Sequence, residues 1–285
     1  MSDYINNAES AGELSRLDHQ AGLVMNAIGY LPHPLRGRPF QKILDLGCGS
    51  GRWALDMAYH YPDAEIVGVD ISSTLVEYAR ARAKTMNRQN VKFIPFDALE
   101  GNLSELGRGI YDLVNLRFAV GWVRGLERWT ELLQRCHHLN TPNGYTMVTE
   151  GEGLSTDSPA LHRLHEIIVQ ALRLGGYGFP SSRQDLGMAA QLGTVLSASG
   201  FSGVAVEGGT INFSFDHSEE NMAWRSSFNA LITESGPFLM TMGVTTAEEL
   251  AELSVRVSSE LYDEAFSGVG SLFTFYGMRV RGSGV

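Results

Sequence analysis

Short apolar runs alternate with stretches whose apolar positions return every three or four residues through the first half of the chain, the pattern of strands separated by amphipathic helices. The runs are KILDLG, EIVGVD at 65 to 70, VKFIPFD, IYDLVNL and YTMVTE. Between them, a helix is predicted from about Arg52, with Trp53, Met57 and Ala58 turned toward the strands and Pro62 and Asp63 ending it. Another is predicted from Ser72, with Leu75, Ala79, Ala83 and Met86 on one side. LERWTELLQRCHHL places Leu126, Trp129, Leu132, Leu133, Cys136 and Leu139 on a third helical face, and TPNG reads as a turn. Strands alternating with crossover helices predict an α/β fold with a parallel sheet. The fourth run is almost wholly apolar, as a strand buried on both faces should be.

After Glu150 the simple alternation breaks. Residues 158 to 174 read as a helix with Pro159 in its first turn, GGYGFPSS as a flexible loop, and residues 184 to 199 as a helix closed by a left-handed Gly200. A sixth strand is expected within GFSGVAVEGGTINFSF, wholly helical structure over 217 to 266, and a last strand at SLFTFYGMRVR. Asp216 with Glu219, and Thr246 with Glu249, have capping-box spacing. Ligands of open α/β sheets bind beyond the carboxyl ends of the strands. The segments after Glu150 and after Asp216 therefore emerge over the crevice. They read as a lid and specificity module, or alternatively as a dimerisation surface, which leaves a homodimer open.

Composition narrows the function classes. Hydrophobic residues at 44% and charged residues at 19% suit a globular protein in water. No apolar run approaches the ~20 residues needed to span a bilayer, so no membrane partner is expected. The N-terminus is polar and acidic, unlike a signal peptide, which places the expected location in the cytoplasm. Two cysteines, Cys48 and Cys136, imply a reducing compartment rather than a disulfide framework, and neither has metal-ligand spacing. A net charge of −10 without a Lys/Arg-rich segment excludes a nucleic-acid footprint and favours a small-molecule substrate.

The chemistry concentrates at ILDLGCGSG, residues 43 to 51, where a strand ending in Asp45 opens onto Gly47, Gly49 and Gly51. Glycine lets a ligand approach bare backbone where strand gives way to helix. Two details argue against a dinucleotide. Arg52 stands where that fingerprint puts its third glycine, and the charge of Asp45 opposes a pyrophosphate. On these residues the chain resembles the class I S-adenosylmethionine-dependent methyltransferases, whose first motif runs hydrophobic, hydrophobic, acid, x, Gly, x, Gly, x, Gly. The resemblance covers about residues 40 to 150 and returns weakly at the end. It implies a Rossmann-like, doubly wound, seven-stranded and mostly parallel sheet with an antiparallel last strand and an added helical lid. Residues 1–40 would form an N-terminal helical cap and 41–285 a methyltransferase-like domain, with helical insertions at about 151–199 and 216–268.

Cofactor contacts follow from the resemblance. Asp70, nineteen residues after Gly51, would accept hydrogen bonds from ribose hydroxyls, beside Ile71; its other reading is a cap ahead of Ser72. Asp97 would meet the adenine amino group and the Ala98 amide a ring nitrogen; its other reading is a turn-forming aspartate. Asn115 completes the set with Asp45 and the three glycines. After the fourth strand the chain reads NLRFAVGW rather than the (D/N)PP(Y/F) of enzymes that methylate amide or nucleobase nitrogens. Arg117 suits a cofactor carboxylate or a substrate anion, or else a structural ion pair. Tyr177 and Trp224 are further candidate substrate contacts, and Phe118 and Trp122 candidate pocket walls. Candidate general bases are Glu150, Glu152, His162 and His165, with Glu150 and His165 foremost; His162 and His165 do not read as a metal site.

ESAGELSRLDHQAGLV reads as an amphipathic helix, apolar along Leu14, Leu17, Ala21 and Val24. It is expected either to fold across the cofactor, with Tyr4 or Arg16 contributing, or to pack with its polar residues in water. Its E-x-x-R-L-x-x-Q opening, the Arg52–Trp53 pair and YPDAEIVGVDIS look like the secondary-metabolite branch, including fungal regulator-like methyltransferases. Methyl transfer to an oxygen, nitrogen or carbon of a small metabolite is the expected activity. The alternatives are a cofactor-binding regulator without transfer and a rearrangement enzyme that uses the cofactor as a charge.

Overall fold

The computed structural model describes residues 11–179 and 185–280. Seven strands form one sheet in the order β3-β2-β1-β4-β5-β7-β6. They are β1 (Lys42–Leu46), β2 (Glu65–Asp70), β3 (Val91–Pro95), β4 (Tyr111–Arg117), β5 (Asn140–Thr156), β6 (Ser202–Asn212) and β7 (Gly268–Met278). β1 pairs in parallel with both β2 and β4, whereas β7 runs antiparallel between β5 and β6. Strand order reverses at β1, so the crevice beyond β1 and β4 is the position where such sheets receive ligands.

Helices α1 (Ala11–Ile28), α2 (Arg52–His60), α3 (Ser73–Thr85), α4 (Gly125–Leu139), α5 (Pro159–Leu174), α6 (Met188–Ala198), α7 (Ser218–Thr241) and α8 (Ala247–Glu260) cover the sheet and its upper edge. Trp53, Met57 and Ala58 of α2 pack on Ile43, Ile66 and Leu113, while Trp129, Leu132, Leu133 and Cys136 of α4 join Leu44, Leu46 and Val114 in a separate cluster. A third cluster unites Leu23 and Val24 of α1 with α5, α7 and α8 through Leu164, Phe228, Ile232 and Leu253. The N-terminal helix and the long insertion thus share one apolar core. No helix among the described residues is long and apolar enough to cross a membrane.

Several elements depart from expectation. Met86 is exposed at the C-terminal end of α3, and Leu126 is exposed in the first turn of α4. TPNG does not separate helix from strand. It forms an irregularity inside β5, with Asn143 at φ 68° and the β4 partner skipping from Tyr111 to Leu113. β5 also continues six residues beyond Glu150, because β7 is long enough to pair Leu154 with Gly270 and Thr156 with Gly268. α6 starts at Met188 behind a left-handed Gly187, later than expected, and residues 184 and below in that segment lie outside the described residues. Gly200 does take positive φ, at 100°. The expected Asp216 box does not begin α7, which starts behind His217 without a side-chain cap; the Glu219 side chain lies outside the description. Thr246 does cap α8, its hydroxyl accepting from the Glu249 amide at 3.2 Å.

Candidate functional site

β1 delivers the chain into a turn in which Gly47, Gly49 and Gly51 all hold positive φ, at 70°, 53° and 75°. The three glycines do different things. A Cβ on Gly51 would lie 2.7 Å from the Ala79 Cβ and 2.8 Å from the Phe93 ring, so this glycine lets α3 and β3 close against the turn. It takes over the packing role that Arg52 denies to the next position. A Cβ on Gly47 would press on Trp122 at 3.2 Å, and one on Gly49 would meet only Leu17 at 3.7 Å. Gly49 therefore offers the more open backbone.

The turn floors a cleft of about 720 Å³ whose wall carries Asp45, Asp70, Ile71, Asp97 and Ala98. Asp45 is buried and takes a 2.7 Å bond from the Asn115 amide. Burial raises its pKa to about 7; the Asn115 bond and the Arg117 charge pull it down, and Asp70 pushes it up. Asn115 lies under Asp45 rather than on the cleft surface, so any part it has in the site passes through that carboxylate. Asp70 accepts from the Gly49 amide at 2.8 Å and the Ser72 amide at 3.0 Å, which ties the glycine turn to the start of α3. The cap of α3 is Ser72 itself, accepting from Leu75. Asp97 accepts from the Leu99 and Glu100 amides at 2.8 and 3.0 Å, so it shapes its turn while facing the cleft.

α1 closes this space from above with Arg16, Leu17, Gln20 and Ala21, and α7 adds Leu231. Arg16 is not a solvent residue: its guanidinium is gripped by the buried Glu13 carboxylate at 2.6 and 2.7 Å. Tyr4 lies outside the described residues. Asp18, which the helical pattern did not single out, anchors α1 to the turn by accepting from the Ser50 hydroxyl at 3.3 Å and pairing with Arg82 and, at 3.7 Å, with Arg52. The signal was missed because these partners are distant in sequence.

Arg117 lines the cleft together with Phe118, Val120 and Trp122. Its desolvation lowers its pKa to about 10, against the pull of Asp45 and Asp56. Tyr177 and Trp224 stand elsewhere. Tyr177 is buried beneath the Arg124 guanidinium and edge-on to Phe238, while Trp224 stacks within 4.7 Å of Phe213 and Phe228. Both serve as packing aromatics, since their segments fold into helical cores. Glu152 is likewise structural, accepting from the Leu186 and Ala189 amides at 2.6 Å and so capping α6. His162 is exposed beside Glu166, and His165 is half-buried on α5 with burial lowering its pKa. Neither lines the cleft, and among the described residues no group of three acids, histidines or cysteines is placed to hold a metal.

Glu150 sits under the loop after β4. One oxygen accepts from the Val120 amide at 3.1 Å, the other has no hydrogen-bond partner, and burial pushes its pKa up to about 8. It supports the cleft's floor without reaching its surface. Since the folded form holds the proton that the unfolded form loses near 4.5, Glu150 opposes folding increasingly as pH rises from 4.5 to about 8, at about 1.4 kcal/mol per pH unit at most. Glu150→Gln keeps an acceptor for Val120 and removes the charge. Denaturant titrations should show it stabilised by up to about 5 kcal/mol at pH 8 and unchanged at pH 4.5; equal effects at both values would show that the group titrates normally.

Residues 39–176 match a family model described as a methyltransferase domain. Among curated proteins, the secondary metabolism regulator laeA of Monascus pilosus is 32% identical over 154 residues, 52% of this chain and 38% of that protein. A protein-methionine methyltransferase laeA of Emericella nidulans is 31% identical over 155 residues, 52% of this chain and 37% of that one. The chain spans well under half the length of these relatives. Among solved structures, a phosphoethanolamine N-methyltransferase 2 of Haemonchus contortus, in complex with S-adenosylhomocysteine, superposes with TM-score 0.52 at 17% identity, over 93% of this chain and 53% of that one. The YcgJ protein of Bacillus subtilis does so with TM-score 0.53 at 15% identity, over 93% and 100%.

Proposed function

We propose that this chain, whose residues 39–176 match a methyltransferase domain, is a class I enzyme that transfers the methyl group of S-adenosylmethionine to a nitrogen or sulfur of a small acceptor enclosed beneath α1 and α7. The observation that carries the reading is the lidded cleft, about 720 Å³, within the range of roughly 300 to 1,000 Å³ in which proteins enclose small ligands. The residues present fit the cofactor. An open glycine backbone at Gly49, a buried acid at Asp45 and two further carboxylates on consecutive strand ends match a cationic nucleoside better than a phosphate. Gly47, Gly49, Gly51, Asp45, Asp70, Ile71, Asp97 and Ala98 would hold it, with Asn115 acting through Asp45.

When bound, the cofactor supplies a methyl group already activated by its sulfonium. The chain's own task is orientation and exclusion of water. α1 covers the cleft, Phe118, Val120 and Trp122 wall it, and Asp45 offers negative charge to a cation. No histidine, tyrosine or lysine lines the space among the described residues; Asp45, Asp70 and Asp97 already accept hydrogen bonds from Asn115 or backbone amides, and Glu100 is paired with Arg128. An acceptor that needs no proton removed before attack, a neutral amine or a thioether, suits such a site better than an alcohol. The same feature supports a second reading, in which a methionine side chain of a protein enters the cleft; the relative named as a protein-methionine methyltransferase favours it.

Assays with labelled S-adenosylmethionine, run in parallel on small amines and thioethers and on protein fractions, separate these readings. Label in small molecules is the expected result. Label confined to protein selects the second reading, and tight cofactor binding with no transfer to either would make the chain a cofactor-binding regulator. Asp45 adds a pH signature. Ionising it favours a bound cation, so affinity for S-adenosylmethionine should rise about tenfold from pH 6 to pH 8, and calorimetry on Asp45→Asn should give a flat profile. A rise that survives in Asp45→Asn would assign the titration to another group.

A further inference from the structure

A polar row crosses four adjacent strands on the sheet face beneath α1. Arg117 of β4 stands opposite Thr149 of β5, Thr149 opposite Thr274 of β7, and Thr274 opposite Glu207 of β6. All four line a second cavity of about 480 Å³, roofed by the end of α1 and the segment that follows it. A sheet face covered by a helix is ordinarily apolar; the neighbouring row on this face is apolar only across β5 and β7, where Met147 stands opposite Tyr276, and turns polar at Asn115 of β4. Buried polar groups are expected to find partners, so the state of each member of the row is informative.

Glu207 is engaged at the rim of the cavity, its two oxygens sharing the one His33 amide hydrogen at 3.0 and 2.8 Å. Thr149 and Thr274 are buried with their hydroxyls 2.9 Å apart. One donates to the other, which leaves a single hydroxyl hydrogen unspent. Arg117 makes no hydrogen bond or ion pair among the described residues; Asp45 and Asp56 act on it only through their charge. At the β4 to β7 end, away from Glu207, the row leaves a set of donors unused: a planar guanidinium and an adjacent hydroxyl. That combination matches the two oxygens of a carboxylate. Arg117 and Trp53 line both cavities, so a group held here abuts the cofactor cleft.

We propose that the second cavity anchors the carboxylate of the methyl acceptor, with Arg117 and the Thr149–Thr274 hydroxyl pair as its donors. This rests on the methyl-transfer reading and narrows it: the acceptor is a small carboxylic acid bearing the amine or thioether. Arg117 is then a specificity residue for the acceptor, standing where the second cavity abuts the cofactor cleft.

The test is calorimetry on the full chain saturated with S-adenosylhomocysteine, using succinate as probe and succinamide as its uncharged counterpart. Succinate should bind and succinamide should not. Arg117→Gln should weaken succinate at least tenfold, and the double variant Thr149→Val with Thr274→Val about threefold to tenfold; the double variant, whose threonines line only the second cavity, should keep S-adenosylhomocysteine affinity within twofold. Arg117→Lys, which retains charge without the planar fork, should fall between wild type and Gln. The proposal is overturned if succinate fails to bind, if succinamide binds as well, or if Arg117→Gln weakens S-adenosylhomocysteine more than succinate, which would return Arg117 to the cofactor. Because S-adenosylhomocysteine binding to the unaltered chain is read first, failure of the cofactor site and failure of the carboxylate site register separately.

Discussion

Gly51→Ala is expected to destabilise the protein by about 3 kcal/mol, the largest folding penalty among substitutions in the glycine turn. Two costs combine. Positive φ at 75° is strained for any residue with a Cβ, at about 1 to 2 kcal/mol. The added carbon would also sit 2.7 Å from the Ala79 Cβ and under 3 Å from the Phe93 ring, and overpacking of this kind costs roughly 1 to 3 kcal/mol. Neither neighbour is the far end of a flexible chain, so α3 or β3 must move. Gly49→Ala has only the strain, since its Cβ would lie 3.7 Å from Leu17; about 1 kcal/mol is expected there. Urea denaturation of the two variants decides the matter. Equal losses would mean that Gly51 is retained for its backbone angle alone.

The second large effect is on binding. Asp70→Ala removes the acceptor that joins Gly49 of the turn to Ser72 ahead of α3, and it removes one of four carboxylates from the cleft wall. Hydrogen bonds to a charged group are worth about 1.5 to 3 kcal/mol each. S-adenosylmethionine affinity should therefore fall about a hundredfold, measured by calorimetry. Ser72→Ala is the control for helix capping. Its loss of the Leu75 bond should lower stability by about 1 kcal/mol while affinity stays near wild type. Affinity unchanged in Asp70→Ala would refute a ribose role for this carboxylate and leave it as a brace for the turn.

Much of this architecture is legible along the chain, because strand and helix periods are local and the glycine turn needs residues of one type at fixed spacing. β2 occupies 65 to 70 as read, and the residues expected to face inward from α2 are buried. The misreadings have a common origin. Leu126 and Met86 continue a helical stripe in sequence, yet lie at helix ends and stay exposed, since periodicity assigns a face without saying whether anything packs on it. β5 outruns Glu150 because a strand from the far end of the chain, β7, offers it a partner.

The site divides along the same line. Local pattern alone determined the turn at residues 47 to 51, the acids at consecutive strand ends and the helical character of the segments after Glu150, since each depends on neighbours a few residues away. Tertiary structure alone decided that Glu13 turns inward to grip Arg16, that Glu152 caps a helix, that Tyr177 and Trp224 pack away from the cleft, and that Arg117 shares one cavity lining with two threonines and a glutamate from three other strands. Burial, pairing and electrostatic environment are properties of neighbours in space. For these residues the neighbours lie up to 157 positions away, as Thr274 does from Arg117, and only the folded chain brings them within reach.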